Sequence, residues 1–355
     1  MEAVKRIIVV DLLYLGDLLF AHPFLSGLRK LFPAARIDLV ANSNFAELMR
    51  INPNLDHVYS YNKTWNTGRS YKFAKKLKMN NYQLGLNIHG NWRTALLLKV
   101  IAANYNIGYG GQGRGIFLEQ EVNQTIDGHM IDSYLDFLNK LTQNEQLADH
   151  FSDEQVYSSS QITDIPQLEI SAEYLQSGIA KLKMIGLNQE QKFIALNTGG
   201  SWPTKRWPVE HFTELAAWLI ENSWPVLFIG GPGDQERVAQ ILAQLPDSEY
   251  LFNLTGQTSL VELTAVLKQA ELIVSGDTGP VHVAAAVGIP TVTLFGPSDE
   301  KKYAPRGRAD NIVIKNTGLN CRPCGEHECP LGHFKCLREL TSELVIDSLK
   351  ARGLI

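Results

Sequence analysis

Residues 6–41, "RIIVVDLLYLGDLLFAHPFLSGLRKLFPAARIDLVA", decide the fold. The stretch opens with "RIIVV", an apolar run typical of a buried strand, and continues with apolar residues at helical spacing. It closes on a second apolar run, "RIDLVA". Strand, helix and strand in this order predict a βαβ unit of a parallel sheet. Asp11, Gly16 and Asp17 lie at the first joint, where a buried element has no need of charge, so this joint is a candidate site.

The same alternation of short apolar runs and helical patterns continues along the chain. It predicts an α/β fold of two Rossmann-like, doubly wound parallel-sheet domains that face a central cleft. The polar stretch 145–190 marks the connection, so we predict domains over 1–185 and 186–355. Ligands of such sheets bind beyond the carboxyl ends of the strands. The predicted strands are "RIIVV", "RIDLVA", "DHVYSY", "QLGLNI" and "YNIGY" in the first half, and "KFIALNTGG", "PVLFIGG", "ELIVSGD", "TVTLFGP" and "NIVIKN" in the second.

Composition excludes several classes of protein. The 355 residues are 45% hydrophobic and 20% charged, as in soluble globular proteins, and the net charge of -4 gives no reason to expect a nucleic-acid partner. No segment reaches the roughly 18 uncharged apolar residues of a membrane span. Asp11 and Asp17 interrupt what would be the apolar core of a signal peptide. We therefore expect a cytoplasmic protein.

The most informative stretch of the second half is 274–297, "VSGDTGPVHVAAAVGIPTVTLFGP". A strand is predicted to end at Ser275, residues 276–280 form a turn, and a helix begins near Val281. Glycines let backbone N–H groups approach a ligand, and the N-terminus of a helix attracts anions. The pattern indicates a cradle for a diphosphate.

A plainer reading is that Asp277 and Thr278 only cap that helix, as such residues often do. The residues at 295–297, Phe-Gly-Pro, end the next strand beside the turn and would wall the same pocket. This neighbour favours the binding site.

Two further loops follow strands of the second half. "NTGGSWPTKRWP" (197–208) contains Lys205, which could neutralise charge on a departing phosphate, or form an ordinary surface pair with Arg206. "IGGPGDQE" (229–236) is either a plain turn or a loop in which Glu236 holds ribose hydroxyls.

All four cysteines lie within one short segment, at Cys321, Cys324, Cys329 and Cys336. Four thiols so close together in a cytosolic protein predict a structural zinc or iron site, and free thiols are the alternative. No catalytic metal is expected.

Taken together, several motifs resemble those of the bacterial heptosyltransferases, glycosyltransferase family 9. They are "LGD" (15–17), "HPFLSGLRKLFPAARIDLVAN", "KRWP" (205–208), "SGDTGPVHVAAAVGIPTVTLFGPSDEKKYAP" and the cysteine tail, and the likeness runs from about residue 6 to 340. It implies a GT-B fold with the acceptor in the N-terminal domain and the donor in the C-terminal domain. It also implies inverting transfer of a heptose from ADP-heptose to the inner core of lipopolysaccharide, without a catalytic metal.

The resemblance also implies roles for single residues. Asp17 matches the catalytic base, and Lys205 matches the lysine that contacts the donor phosphates. Arg93, in "NIHGNWRTA" (87–95), is a candidate for the acceptor side. The residues matched to donor binding are Ser201, Glu236, Asp277, Thr278, Gly279 and His282.

Other interpretations stay open at this point. Many enzymes that add the first heptose have a basic residue where this chain has Asp11, so a later-acting heptosyltransferase or a relative with another acceptor is at least as well supported. A sugar-nucleotide epimerase and a non-catalytic nucleotide-sugar-binding protein share the architecture. An NAD-dependent enzyme is not favoured, because no GxGxxG follows the first strand.

The lipid acceptor leads us to expect peripheral inner-membrane contact through the N-terminal domain, although no basic amphipathic helix marks it.

Overall fold

The computed structural model describes residues 4–111, 113–124, 127–147, 164–188 and 190–355. The chain divides into two compact units, Met1–Pro166 and Gln167–Ile355. Within the described ranges, no helix is long and apolar enough to cross a lipid bilayer.

The first unit contains a six-stranded parallel sheet in the order β3-β2-β1-β4-β5-β6. A short 3₁₀ helix, Arg114–Phe117, precedes its last strand. The strands are β1 (Arg6–Asp11), β2 (Arg36–Asn42), β3 (His57–Tyr61), β4 (Leu84–Asn87), β5 (Tyr105–Tyr109) and β6 (Gln120–Val122), and the helices are α1 (Leu15–Phe20), α2 (His22–Leu31), α3 (Ala46–Met49), α4 (Thr67–Lys78), α5 (Trp92–Ile101) and α6 (Met130–Thr142).

The second unit contains another six-stranded parallel sheet, in the order β12-β11-β10-β7-β8-β9. Its strands are β7 (Ile194–Asn197), β8 (Val226–Ile229), β9 (Leu251–Asn253), β10 (Leu272–Gly276), β11 (Thr291–Phe295) and β12 (Asn311–Lys315), and its helices are α7 (Ala172–Met184), α8 (Val209–Glu221), α9 (Gln235–Leu242), α10 (Leu260–Leu267), α11 (Gly279–Val287), α12 (Glu300–Tyr303), α13 (Lys335–Arg338) and α14 (Ser342–Ala351).

Both sheets have the Rossmann strand order, 3-2-1-4-5-6 when each is counted from its own first strand. The order reverses between β1 and β4 in the first sheet and between β7 and β10 in the second. A crevice opens at such a reversal, beyond the carboxyl ends of the strands, and ligands bind there. The predicted Rossmann-like α/β architecture is confirmed, and it locates one candidate crevice in each unit.

The central strands form because their residues are apolar and are covered on both faces. Residues 7–10 of β1 and all of β8 are completely buried. Ten of the twelve strands found in the described ranges coincide with the apolar runs quoted from the sequence. The two missed strands, β6 and β9, have three residues each and lie at sheet edges, where little apolar pattern is required.

The division between the units precedes α7, whereas the sequence predicted it at 185/186. Helix α7 packs against α10 of the second unit, and Gly178 permits the close approach: a Cβ at that position would lie 2.5 Å from the Cβ of Ala265. Much of the predicted connection, residues 148–163, lies outside the described residues.

Candidate active site

The joint that follows β1 is held by the neighbouring strand β4. Asp11 is fully buried, and its Oδ1 accepts the backbone N–H of Leu13 at 3.0 Å. The N–H of Leu12 donates to Nδ1 of His89, which follows β4, at 3.0 Å, and the same Nδ1 lies 3.7 Å from Oδ1 of Asp11. The acidic residue at the strand end therefore fixes the backbone of the loop, together with an imidazole from across the reversal point.

Asp17 lies in the first turn of α1 and is half-buried. Its Oδ2 accepts the backbone N–H of Tyr14, the residue that precedes the helix, at 3.3 Å. A carboxylate in the first turn is stabilised by the N–H groups that the helix leaves without partners. The loop from Asp11 to Asp17 is thus anchored at both of its acidic residues.

Two cations lie beside this loop. The ammonium of Lys63 is 4.9 Å from the ring centroid of Tyr14, and Nη1 of Arg93 donates to the carbonyl oxygen of Lys63 at 2.5 Å. Burial lowers the pKa of Lys63; the charges of Asp11 and Asp17 oppose the shift, and Arg93 adds to it. Carboxylates and cations therefore share the crevice of the first unit.

Lys63 was missed in the sequence. The signal that could have found it is its place two residues after β3, because the carboxyl ends of all strands in a parallel sheet lie at one edge.

In the second unit, Lys205 and His282 converge on Asp277. The Lys205 Nζ donates to Oδ2 of Asp277 at 2.7 Å, and Nε2 of His282 lies 3.4 Å from its Oδ1. Burial by itself would raise the pKa of Asp277, but His282 and Lys205 hold it well below the ordinary range. Arg206 donates to the carbonyl oxygen of Gly200 instead. Lys205 and Arg206 are therefore not an ordinary pair of surface cations.

Thr278 belongs to a second polar network. The Nδ2 of Asn197, at the end of β7, donates to Oγ1 of Thr278 and to Oγ of Ser275, both at 2.9 Å. Thr278 precedes α11 but makes no capping bond with its side chain, and the helix begins at Gly279, two residues before the predicted Val281. Thr278 occupies the N-cap position, but neither side chain makes a capping hydrogen bond, so capping alone does not account for Asp277 and Thr278.

Two glycines let the loop that carries Lys205 lie directly on the strand ends. A Cβ on Gly276 would lie 2.5 Å from the carbonyl oxygen of Lys205. A Cβ on Gly296 would lie 2.8 Å from Cγ of Leu337 and 3.1 Å from the carbonyl oxygen of Thr204. A larger residue at position 276 would push the loop away from Asp277, and one at position 296 would first displace the Leu337 side chain.

Glu236 and Ser201 are not drawn into these networks. Glu236 lies in the first turn of α9, beyond β8, and its carboxylate is exposed. Ser201 is an exposed residue of the loop after β7. Both lie at the ligand-binding edge of the sheet, and their contacts with a donor stay predictions.

The cysteine segment, residues 321–336, packs on the loop that carries Lys205. The ring of His327 stacks on Trp202, and the hydroxyl of Thr204 donates to the carbonyl oxygen of Glu326 at 2.8 Å. Gly325 N–H also donates to the carbonyl oxygen of Pro297 at 2.9 Å. The segment therefore supports the crevice from one side.

The four thiols are free. The Phe334 N–H, followed by those of residues 331–333, lowers the pKa of Cys329, while burial raises the pKa of Cys336 to about 11 and the other three thiols add to that rise. Within the described residues, no group of three or more His, Cys, Asp or Glu side chains is arranged to hold a metal ion. A metal at the cysteines therefore stays a prediction.

Comparison with known proteins bears on the family. The family model described as "Glycosyltransferase family 9 (heptosyltransferase)" matches residues 70–335, about three quarters of the chain. The chain belongs to glycosyltransferase family 9. The resemblance noted in the sequence is thereby confirmed, and this family 9 chain is a glycosyltransferase.

Relatives of this family 9 glycosyltransferase extend over nearly its whole length. Lipooligosaccharide heptosyltransferase 2 of Haemophilus ducreyi is 23% identical over 97% of this chain and 98% of its own. The structure of a family 9 glycosyl transferase from Veillonella parvula is 26% identical, covers 100% of this chain and 98% of its own, and has a TM-score of 0.84. The E. coli heptosyltransferase WaaC, solved with ADP-2-deoxy-2-fluoro heptose, is 20% identical over 98% of this chain and 100% of its own, with a TM-score of 0.72. These matches confirm the GT-B fold class.

Proposed function

We propose that this glycosyltransferase moves a heptose from ADP-heptose to the core saccharide of lipopolysaccharide, with inversion at the anomeric carbon. The observation that carries the proposal is the polar cluster of the second unit, in which Lys205 and His282 converge on a buried Asp277 at the strand-order reversal. Such a cluster suits a diphosphate leaving group. The relative named for lipooligosaccharide and the structure solved with an ADP-heptose analogue support the acceptor and donor classes.

On the donor side, Lys205 is the group proposed to contact the diphosphate. Its pairing with Asp277 keeps the ammonium extended at the N-terminus of α11, where Thr278 and Gly279 offer a hydroxyl and a backbone N–H. As the bond between the anomeric carbon and the diphosphate oxygen breaks, negative charge accumulates on ADP, and a fixed ammonium stabilises that charge. Ser201 and Glu236 are proposed to contact the rest of the nucleotide.

On the acceptor side, Asp17 is the proposed general base. Its carboxylate takes the proton of an acceptor hydroxyl while that oxygen forms the new bond to the anomeric carbon, on the face opposite the departing ADP. General base catalysis of this kind typically contributes about 10²–10⁴-fold. Lys63 and Arg93, which lie beside the same loop, are proposed to bind anionic groups of the acceptor core.

Asp11 bears on which heptose is added. Many enzymes that add the first heptose have a basic residue at this position. The carboxylate of Asp11 is buried and holds the backbone of the loop, so it does not take over a contact of that basic residue with the acceptor. We infer that the remaining cations, Lys63 and Arg93, set the acceptor preference, and that a later heptose addition fits this arrangement.

We also infer that the four cysteines hold a structural zinc or iron ion. The support is their free state, their confinement to residues 321–336 and the backbone N–H groups directed at Cys329, since such donors stabilise a thiolate ligand. The ion would cross-link the segment that packs on Trp202 and would take no part in the transfer. Elemental analysis of wild type and Cys336→Ser tests this: about one ion per wild-type chain is expected, and a metal-free wild type would contradict it.

The test of the transferase is ADP release from ADP-heptose with heptose-deficient core lipopolysaccharide as acceptor, for wild type beside Asp17→Asn. Asp17→Asn should remove nearly all acceptor-dependent release while calorimetry still detects ADP binding. Loss of ADP binding in the same variant would refute the base role. Consumption of the donor without any acceptor would instead favour the epimerase interpretation.

A further inference from the structure

Helix α4 of the first unit carries a surface of unusual charge. It contains five cationic residues in twelve and no acidic residue, in a chain whose net charge is -4. All five are exposed, and among the residues that the structure describes none of them forms an ion pair with a carboxylate. We call this set the α4 basic surface: Arg69, Lys72, Lys75, Lys76 and Lys78.

The cations of α4 face solvent, while its narrow apolar stripe packs inside the unit. Ala74 and Leu77 are buried where α4 packs against α5, and helical spacing places Lys72 and Lys75 on the opposite face. With so few apolar residues in the buried stripe, cations dominate the exposed surface of this helix.

Apolar side chains accompany these cations. Tyr71 is 50% exposed and Met79, directly after the helix, is 80% exposed. On another side of the helix, an open cavity of about 290 Å³ is lined by Trp65, Arg69, Lys72 and Phe73. Clustered lysine and arginine side chains are attracted to anionic lipid headgroups, and exposed aromatic side chains suit the headgroup region.

The α4 basic surface is continuous with the proposed acceptor side of the unit. Trp65, which lines the cavity, follows Lys63 by two residues, and the neighbouring helix α5 begins with Trp92 and Arg93. Trp92 is 47% exposed, and Leu96, one turn further along α5, is 46% exposed. Apolar and cationic groups therefore extend from the Asp17 loop onto the outer faces of both helices.

We propose that the α4 basic surface docks this enzyme on an anionic phospholipid bilayer. Lysine and arginine side chains would pair with lipid phosphates, and Tyr71 and Met79 would enter the headgroup region. The proposal rests on the proposed function in one respect, since a lipid-anchored acceptor lies in such a bilayer. Docking through α4 would bring the acceptor saccharide to the neighbouring Lys63 and Arg93.

The test is co-sedimentation of the full chain with vesicles, in the absence of donor and acceptor. Vesicles of phosphatidylcholine with one quarter phosphatidylglycerol are compared with pure phosphatidylcholine, for wild type, Lys72→Glu/Lys76→Glu and the control Lys183→Glu/Lys350→Glu. The control has the same charge change on exposed lysines of the second unit. Wild type and control should bind the anionic vesicles, with an affinity that falls as salt rises, and the α4 variant should bind at least about tenfold more weakly.

Several outcomes would overturn the proposal. They are equal binding of the α4 variant and wild type, absence of wild-type binding to anionic vesicles, displacement by inorganic phosphate at matched ionic strength, and tighter binding to a DNA duplex than to vesicles. Thermal unfolding of the variant, expected to match wild type because both lysines are exposed, excludes a folding defect as the cause.

An activity arm separates this proposal from the proposed function. The α4 variant should turn over a deacylated, water-soluble core acceptor at the wild-type rate and a vesicle-embedded acceptor at least about tenfold more slowly. Failure of wild type with both acceptors would refute the proposed function, whereas the vesicle-binding result would stand by itself.

Discussion

The imidazole of His327 stacks on the indole of Trp202, with ring centroids 3.8 Å apart and planes inclined by 25°. The ammonium of Lys205 lies 4.6 Å from the centroid of the same indole and reaches Asp277 from there. The cysteine segment thus contributes one ring to the stack on which the proposed phosphate-binding lysine rests, which makes His327 a positioning residue for Lys205.

His327→Ala should therefore lower kcat about three- to tenfold, because an aromatic pair of this kind is worth roughly 0.5–1.5 kcal/mol and its loss lets Trp202 and Lys205 move. His327→Phe keeps a ring in the stack and should recover most of the rate. Steady-state kinetics of the three proteins, with the metal content of each, checks this. Equal rates for the Ala and Phe variants would show that the stack does not position Lys205.

Asp277→Asn should destabilise the protein, because it leaves the cation of Lys205 beside a neutral amide in a largely buried position. Removing one partner of a buried pair costs about 3 kcal/mol or more in the free energy of unfolding. Urea unfolding at pH 7 measures the loss. Asp247→Asn, the same change at an exposed carboxyl of the same unit, should leave the free energy of unfolding within about 0.5 kcal/mol of wild type.

The pH dependence of that difference has a definite sign. The pKa of Asp277 is lower in the folded protein than in the unfolded chain, so its contribution to stability is fully present above the unfolded pKa of about 3.9. The contribution is lost only as the pH falls from there through the lower folded pKa. The gap between wild type and Asp277→Asn should be as large at pH 5 as at pH 7 and should shrink below about pH 4. A gap that already closes between pH 7 and pH 5 would contradict this account.

The sequence predicted the fold well because parallel strands that are buried on both faces must be apolar throughout. It also predicted the Asp277 turn, since glycines, a hydroxyl and a helix start are local in the chain. It did not predict Lys63 or His327, because each reaches its site across the sheet edge or from a distant segment, and no local pattern records such a meeting.

The structural role of Asp11 does not follow from its position in the sequence alone. Its acidic side chain lies at a strand end in a candidate site, yet it is buried and accepts the backbone N–H of Leu13. The pairing of β1 with β4 brings His89 to the loop that follows Asp11. This long-range pairing, which the local sequence does not reveal, makes Asp11 a structural carboxylate and not a ligand-binding one.

His89→Ala should cost about 1–3 kcal/mol of the free energy of unfolding, because the N–H of the buried Leu12 loses its acceptor. His89→Asn supplies an amide oxygen near the place of Nδ1 and should recover most of the loss. Urea unfolding of both variants measures the difference. If Asn proves no more stable than Ala, the hydrogen bond to Leu12 is not what His89 contributes.

Lys63 provides a test of the acceptor side. Lys63→Ala should raise the acceptor KM about tenfold or more and leave donor binding unchanged, because a charge-assisted hydrogen bond to an anionic group contributes roughly 1.5–3 kcal/mol. The pKa of Lys63 is lowered by burial, so raising the pH should remove its charge earlier than that of an ordinary lysine. The acceptor KM of wild type should therefore begin to rise with pH below the usual lysine pKa of about 10.4.

Arginine stays protonated through this range, so Lys63→Arg should lack that alkaline rise in the acceptor KM. Lys183→Arg, at an exposed lysine of the second unit, should keep the rise and serves as the matched control. The measurement is the acceptor KM from pH 7 to 10 with the donor saturating. If wild type and Lys63→Arg share the same alkaline limb, another group titrates there and Lys63 does not bind the acceptor as a cation.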